Sequence, residues 1–152
     1  MVYSLSKYKL AIQLPESFAA SVGLNDNNSI VIGGEGSYLD TISYEYTADM
    51  YTTKGDATGS YVHDKNLDKS GTVTITINQM APQIAMFKKV INLYYQAGND
   101  YDGLQLSLKD LSGQEIMSAE SCFFVKIPNQ DLGQESANQS WNITCGRINT
   151  ID

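Results

Sequence analysis

The stretch "DKSGTVTITINQMAPQIAMFKKVINLYY", residues 68–95, changes its periodicity half-way and decides how the whole chain is read. Val73, Ile75 and Ile77 alternate with Thr72, Thr74 and Thr76. That alternation puts an aliphatic set on one face of a strand and a row of hydroxyls on the other. Pro82 then opens a stretch in which Ile84, Phe87, Val90 or Ile91, and Tyr94 fall on one helical stripe, with Lys88, Lys89, Asn92 and Gln96 facing away. Proline is harmless in the first turn of a helix, where its N–H would have no partner in any case. Gly98 supplies a stop. The pattern predicts a helix over about 82–97, joined to a strand with almost no loop, with Ile84, Phe87, Ile91 and Tyr94 as its core side.

Working outward, the alternation recurs. Ile42, Tyr44, Tyr46, Ala48 and Met50 alternate with Ser43, Glu45, Thr47, Asp49 and Tyr51, which reads as one long amphipathic strand. A glycine-bearing loop follows, Lys54, Gly55, Asp56, Ala57, Thr58 and Gly59, and "SYVH" at 60–63 reads as the returning strand of a hairpin. A loop longer than a tight hairpin needs is suited to contact with something outside the domain. Leu104, Leu106 and Leu108 alternate with polar residues. In "EIMSAESCFFVKI", Met117, Ala119, Ser121, Phe123, Val125 and Ile127 share a phase up to Pro128. In the closing "WNITCGRI", Trp141, Ile143 and Cys145 share another. "IVIGGEG" reads as a short strand closed by glycines, and "NDNNS" at 25–29 as a turn. The expected fold is mainly β: an antiparallel sandwich or barrel of about six to eight strands with one flanking helix. Residues 25–152 read as a single domain. Residues 1–24 lack a clean period and read as an N-terminal arm or extension, with a short paired strand at the start as the other option.

At 152 residues the chain is long enough to bury a core without staples. Charged residues make up only 18 %, and polarity comes instead from Ser, Thr, Asn, Gln and 10 tyrosines. A weakly charged surface of this kind suits packing against copies of itself, although Thr and Tyr are also ordinary strand formers. The net charge of −7 argues against a protein that holds nucleic acid by neutralising phosphates. There is no apolar run of membrane-spanning length and no signal-peptide pattern, so a reducing cytosol with both Cys122 and Cys145 as free thiols is expected. A disulfide would require their strands to be neighbours. The sequons at Asn27, Asn138 and Asn142 mark only polar surface in that setting.

Catalytic signals are missing. His63 is the sole histidine, so a zinc site built on paired histidines is ruled out. The two cysteines alternate with core-type residues and read as small hydrophobes. "DYDG" at 100–103 and "HDKNLDKSG" at 63–71 lack the ligand spacing and terminal Glu of a calcium loop, and turn chemistry accounts for them. "GGEG" at 33–36 lacks the Lys-Ser/Thr of a phosphate loop. Glu45 and Asp49 share a phase, but nothing completes an acid–base site around them. The expectation is a protein that is not an enzyme, with no cofactor and no metal.

The block from 30 to 150 resembles the phage tail tube proteins of contractile tails. The likeness lies in "SYLDTISYEYTADMYTTKGDATGSYV", then "DKSGTVTITINQMAPQIAMFKKV", and in the closing "WNITCGRI". This family is related to the tubes of type VI secretion and of R-type bacteriocins. The resemblance implies a homohexameric ring that stacks into a hollow tail tube through which DNA passes during ejection, without sequence-specific contact. It implies tail sheath, baseplate and tape-measure proteins as partners, assembly in the host bacterial cytoplasm, a place in the virion tail, and no membrane. In such a tube the face carrying Glu45, Asp49, Thr72, Thr74 and Thr76 would be the lumen or the outer wall, with the lumen favoured because the hydroxyl face lacks cations. The loop from Lys54 to Gly59 would touch a neighbouring subunit or ring, disordered in the monomer and ordered in the tube. The competing readings are another tail component of the same fold, such as a terminator or completion protein, and a solitary β-sandwich carbohydrate-binding module.

Overall fold

The computed structural model describes residues 4–15, 29–33, 38–96, 103–110 and 112–150. Expectations for the remainder of the N-terminal segment, for the turn at 25–28, for Gly34–Gly36, for the Gly98 stop and for residues 100–102 of "DYDG" fall outside those residues.

A seven-stranded antiparallel sheet forms the body of the molecule, in the order β2-β1-β7-β8-β9-β6-β3. The strands are β1 (Tyr8–Gln13), β2 (Ser29–Ile32), β3 (Leu39–Tyr46), β6 (Gly71–Asn78), β7 (Leu104–Asp110), β8 (Glu115–Phe124) and β9 (Asn138–Thr150). A separate two-stranded hairpin is made by β4 (Tyr51–Gly55) and β5 (Tyr61–Lys65). The helix α1 runs Gln83–Gln96. The segment read as an arm thus contributes β1, which pairs with β2 on one side and β7 on the other.

The alternation does what its period requires. In β6, Val73, Ile75 and Ile77 are fully buried, while Thr72, Thr74 and Thr76 are half-buried on the opposite face. The aliphatic residues of the seven strands and the buried residues Ile84, Phe87, Val90 and Ile91 of α1 belong to one core. At its centre Phe87 meets Trp141 with ring centroids 5.3 Å apart and Phe124 at the same distance. Edge-on and tilted aromatic contacts of this sort add to the burial of large apolar area.

Two expectations are corrected. The amphipathic strand does not run through residue 50. Its partner β6 begins at Gly71, opposite Tyr46. Beyond that point the chain has no ladder to join, bends over residues 47–50 and leaves the sheet. Met50, expected in the core, is 62 % exposed. The second correction is in β8. Ser121 adopts φ +55° and interrupts the alternation, so Cys122 rather than Ser121 is buried. Phe123, Val125 and Ile127 turn outward, and the strand ends at Phe124, before Pro128. Relative to β7 the register slips between Leu104 and Leu106. Against β9 it does not slip, because Ser121 and Gly146 drop out of the pairing together, so the bulge is shared by β8 and β9 while β9 keeps its register with β6.

Candidate functional site

The face of the sheet opposite the core is a carpet of hydroxyls and amides. Cross-strand register sets it in rows: Glu45 beside Thr72 beside Thr144, Ser43 beside Thr74 beside Asn142, and Thr41 beside Thr76 beside Ser140. The rows are tied laterally. Thr74 Oγ1 donates to Asn142 Oδ1 at 3.0 Å, and Thr76 Oγ1 and Ser140 Oγ lie 3.3 Å apart. Threonine and serine here satisfy strand propensity and hydrogen bonding together, which cross-strand pairs of this type reward. These three rows carry one carboxylate, Glu45, and no cation. Across the shared bulge the face becomes more charged, with Glu120 opposite Arg147 and Lys109 opposite Glu115.

Of the residues grouped from the sequence, the sheet brings together Glu45, Thr72, Thr74 and Thr76. Asp49 does not join them. It lies in the bend after β3, in a hollow shared with Tyr46, Met50, Lys65, Leu67 and Lys69. The alternation used to place it opposite the core stops at Tyr46, so its phase says nothing about its direction.

The hairpin is also more ordered than a flexible loop. Lys54 and Gly55 are strand residues, and only Asp56, Ala57, Thr58 and Gly59, with Ser60, form the turn. Asp56 Oδ1 accepts from Thr58 N at 2.9 Å, Thr58 Oγ1 at 2.7 Å and Ser60 N at 3.0 Å. These bonds, led by the Thr58 hydroxyl, hold the Asp56 carboxyl below its ordinary range. Every residue of β4 and β5 is exposed. One face carries Tyr51, Thr53, His63, Tyr61 and Lys65. On it Thr53 Oγ1 lies 2.8 Å from His63 Nδ1, and the Tyr61 and His63 rings lie 5.2 Å apart. The other face carries the Lys54–Asp64 ion pair at 3.7 Å, too solvated to stabilise much. A two-stranded hairpin alone in water is marginal. This one also shows Tyr51, Tyr61 and Val62 to solvent at more than half their area.

On α1, Ile84, Phe87 and Ile91 are buried and Tyr94 packs against the rim of the core. Sequence reasoning missed a second exposed apolar patch. Tyr94 and Tyr95 at the helix end meet Phe123 and Val125, which the bulge turns outward. No local pattern announces a bulge at Ser121, so no signal in the sequence could have found this patch. Asp68 accepts from Ser70 N at 2.9 Å, and Asn66 Oδ1 accepts from Asp68 N at 2.9 Å, so the aspartate of "NLDKSG" serves turns. Among the described residues no group of three or more His, Cys, Asp or Glu is placed to hold a metal ion.

Comparison with known proteins agrees with this architecture. The family model for the bacteriophage PhiTE tail tube protein matches residues 17–152. Among solved structures, a chain of the sheath–tube complex of an extracellular contractile injection system in its extended state superposes with a TM-score of 0.51 at 12 % identity, covering 98 % of this chain and 93 % of that one. A chain of that system's sheath/tube terminator gives 0.52 at 11 % identity, covering 100 % and 98 %. A chain of the anti-feeding prophage baseplate gives 0.54 at 9 % identity, covering 99 % and 95 %. At such identities the likeness is one of fold. No curated protein matches.

Proposed function

The chain belongs to the bacteriophage PhiTE tail tube protein family, and from that premise we propose that it is a structural subunit of a phage tail. In this reading it forms homohexameric rings that stack into the hollow tube through which DNA leaves. The role is architectural, not catalytic. Its place is the virion tail, after assembly in the host bacterial cytoplasm. Its partners are further copies of itself, the sheath around the tube, the baseplate below it and the tape-measure protein that precedes DNA in the lumen.

The observation that carries this reading is the three cation-free rows where β3, β6 and β9 pair, backed by an apolar core. A wall past which a polyanion must slide should be wet and should offer no fixed cation, because each lysine or arginine would capture phosphate. We assign Glu45, Thr72, Thr74 and Thr76 to that lumen wall. Asp49 is not carried into the assignment, for want of a shared face. The hairpin, including Lys54 to Gly59, is assigned to contact with a neighbouring subunit or the next ring. Among the described residues β2 and β3 are the outermost strands of the sheet, with edges that joining of sheets between subunits would close.

Negative-stain microscopy of the purified protein over a concentration series tests this. Rings, and tubes at high concentration, are expected. A protein that stays monomeric by light scattering and shows neither would overturn it. A terminator component is the second reading, since a chain of the sheath/tube terminator shares the fold to the same degree as a chain of the sheath–tube complex. Rings that never elongate would favour it.

A further inference from the structure

The 2 cysteines of the chain face each other across adjacent strands: Cys122 of β8 pairs with Cys145 of β9. Val125 N donates to Asn142 O at 3.0 Å, in the same register. Stepping back along the ladder, Phe123–Thr144 is therefore a hydrogen-bonded pair and Cys122–Cys145 a non-hydrogen-bonded one. Opposed residues at such positions bring their Cα atoms to about 4.5 Å, inside the range of about 4.4–6.8 Å that a disulfide spans. Both thiols are free and buried, and the Cys145 thiol donates to Ile143 O at 3.8 Å. A metal would need further ligands, and the described residues offer no third His, Cys, Asp or Glu there.

We propose that Cys122 and Cys145 form an oxidation site, closing to an intramolecular disulfide when the protein meets a small-molecule disulfide, and so locking β8 to β9 without a change of register. Cys145 is the attacking sulfur. The Cys122 thiol beside it holds its thiol down, whereas Cys145 and burial push Cys122 up. The Cys145 thiolate attacks one sulfur of the external disulfide and expels one thiol. Cys122 loses its proton to solvent and attacks Cys145 Sγ in the mixed disulfide, expelling the second thiol. Two protein thiols and one external disulfide become one protein disulfide and two external thiols. The protein is thus reduced in a reducing compartment and gains a covalent staple in an oxidising one. The staple acts by constraining the unfolded chain, which a closed native geometry does not oppose. The inference rests on register and stands apart from the tube reading.

The test uses the full chain, reduced and then incubated with excess oxidised glutathione. Because the thiols are buried, a parallel incubation is held near the unfolding midpoint and cooled, so that access does not limit the result. The expected product is monomeric, lighter by two hydrogens, free of glutathione, and without alkylatable thiol under denaturing conditions. Its Tm should rise by roughly 5–10 °C and fall back on reduction. Cys145→Ala should show no such gain. Two alkylatable thiols after both incubations, a stable glutathione adduct, cross-linked dimers, or a disulfide form with a lower Tm would each overturn the proposal.

Discussion

Gly71 shows how one residue sets the end of a strand. A Cβ there would collide with the Glu45 carbonyl oxygen and with Ile148 Cδ1. The backbone of β3 and the side chain of β9 close in on it from two strands, at the point where β3 leaves the sheet. Gly71→Ala should destabilise by about 1–3 kcal/mol in urea unfolding, the usual cost of overpacking a filled site. A change near zero would mean the two strands part easily there. Gly103 plays the same part at the bulge, where a Cβ would lie 2.9 Å from Ser121 Cα and 2.8 Å from Cys122 N. At the hairpin tip, Asp56 gathers three donors through one oxygen. Its folded pKa is depressed, so the stabilisation is present above the ordinary carboxylate range and is lost as pH falls through the depressed folded value. Asp56→Asn keeps the acceptor and Asp56→Ala removes it. Protection of the Thr58 and Ser60 amides, taken relative to the intrinsic exchange rate at each pH, should therefore fall in the alanine variant, and equally in the wild type at acid pH, but little in the asparagine variant. Equal protection in all three would show that the turn does not depend on that oxygen.

Elements that obey one period throughout were legible from the sequence. β6, β7 and α1 lie where their alternation or stripe put them, because each buries one continuous face against one core. β3 and β8 were misread where the period breaks for a reason outside the strand. In β3 the partner strand runs out, and in β8 a single residue at positive φ resets the phase. Neither event leaves a local mark, since each depends on strand neighbours that only the folded topology supplies. The candidate site was legible to the same extent: the threonine row and Glu45 came together, and Asp49 did not. For α1 the expected outcome of Phe87→Ala is a loss of about 3–5 kcal/mol, because a fully buried ring touching Trp141 and Phe124 leaves a cavity. A loss below about 1 kcal/mol would remove Phe87 from the core. The hairpin should behave in the opposite way. It buries nothing of its own, so replacing residues 52–64 by a short linker should change the unfolding free energy of the monomer by no more than about 0.5 kcal/mol. The same variant should abolish tubes. Normal tubes from it would refute the assignment of β4 and β5 to subunit contact.

At the scale of the whole molecule, electrostatics decides what the polar face can do. Each chain carries a net charge of −7, yet the three rows of β3, β6 and β9 that we place on the lumen wall hold a single charge, at Glu45. In the proposed ring, symmetry would multiply that side chain. A carboxylate per subunit would become an anionic collar that keeps water and counterions between wall and duplex. A lysine at the same place would become a cationic collar that captures phosphates. Glu45 is exposed at the end of β3, beside Thr72 on one side and close to the bend on the other, so Glu45→Lys can be accommodated without repacking the core. Assembly should survive. DNA ejection from particles built with this subunit should slow or stop part-way. Salt should restore it, because a collar making six or more phosphate contacts loses roughly a thousandfold in affinity between about 50 and about 200 mM salt. Glu45→Gln should eject normally, since it removes repulsion without adding attraction. Unchanged ejection by the lysine variant at low salt, or a tube structure with Glu45 on the outer wall, would move the threonine face out of the lumen and leave the opposite edge of the sheet to line it.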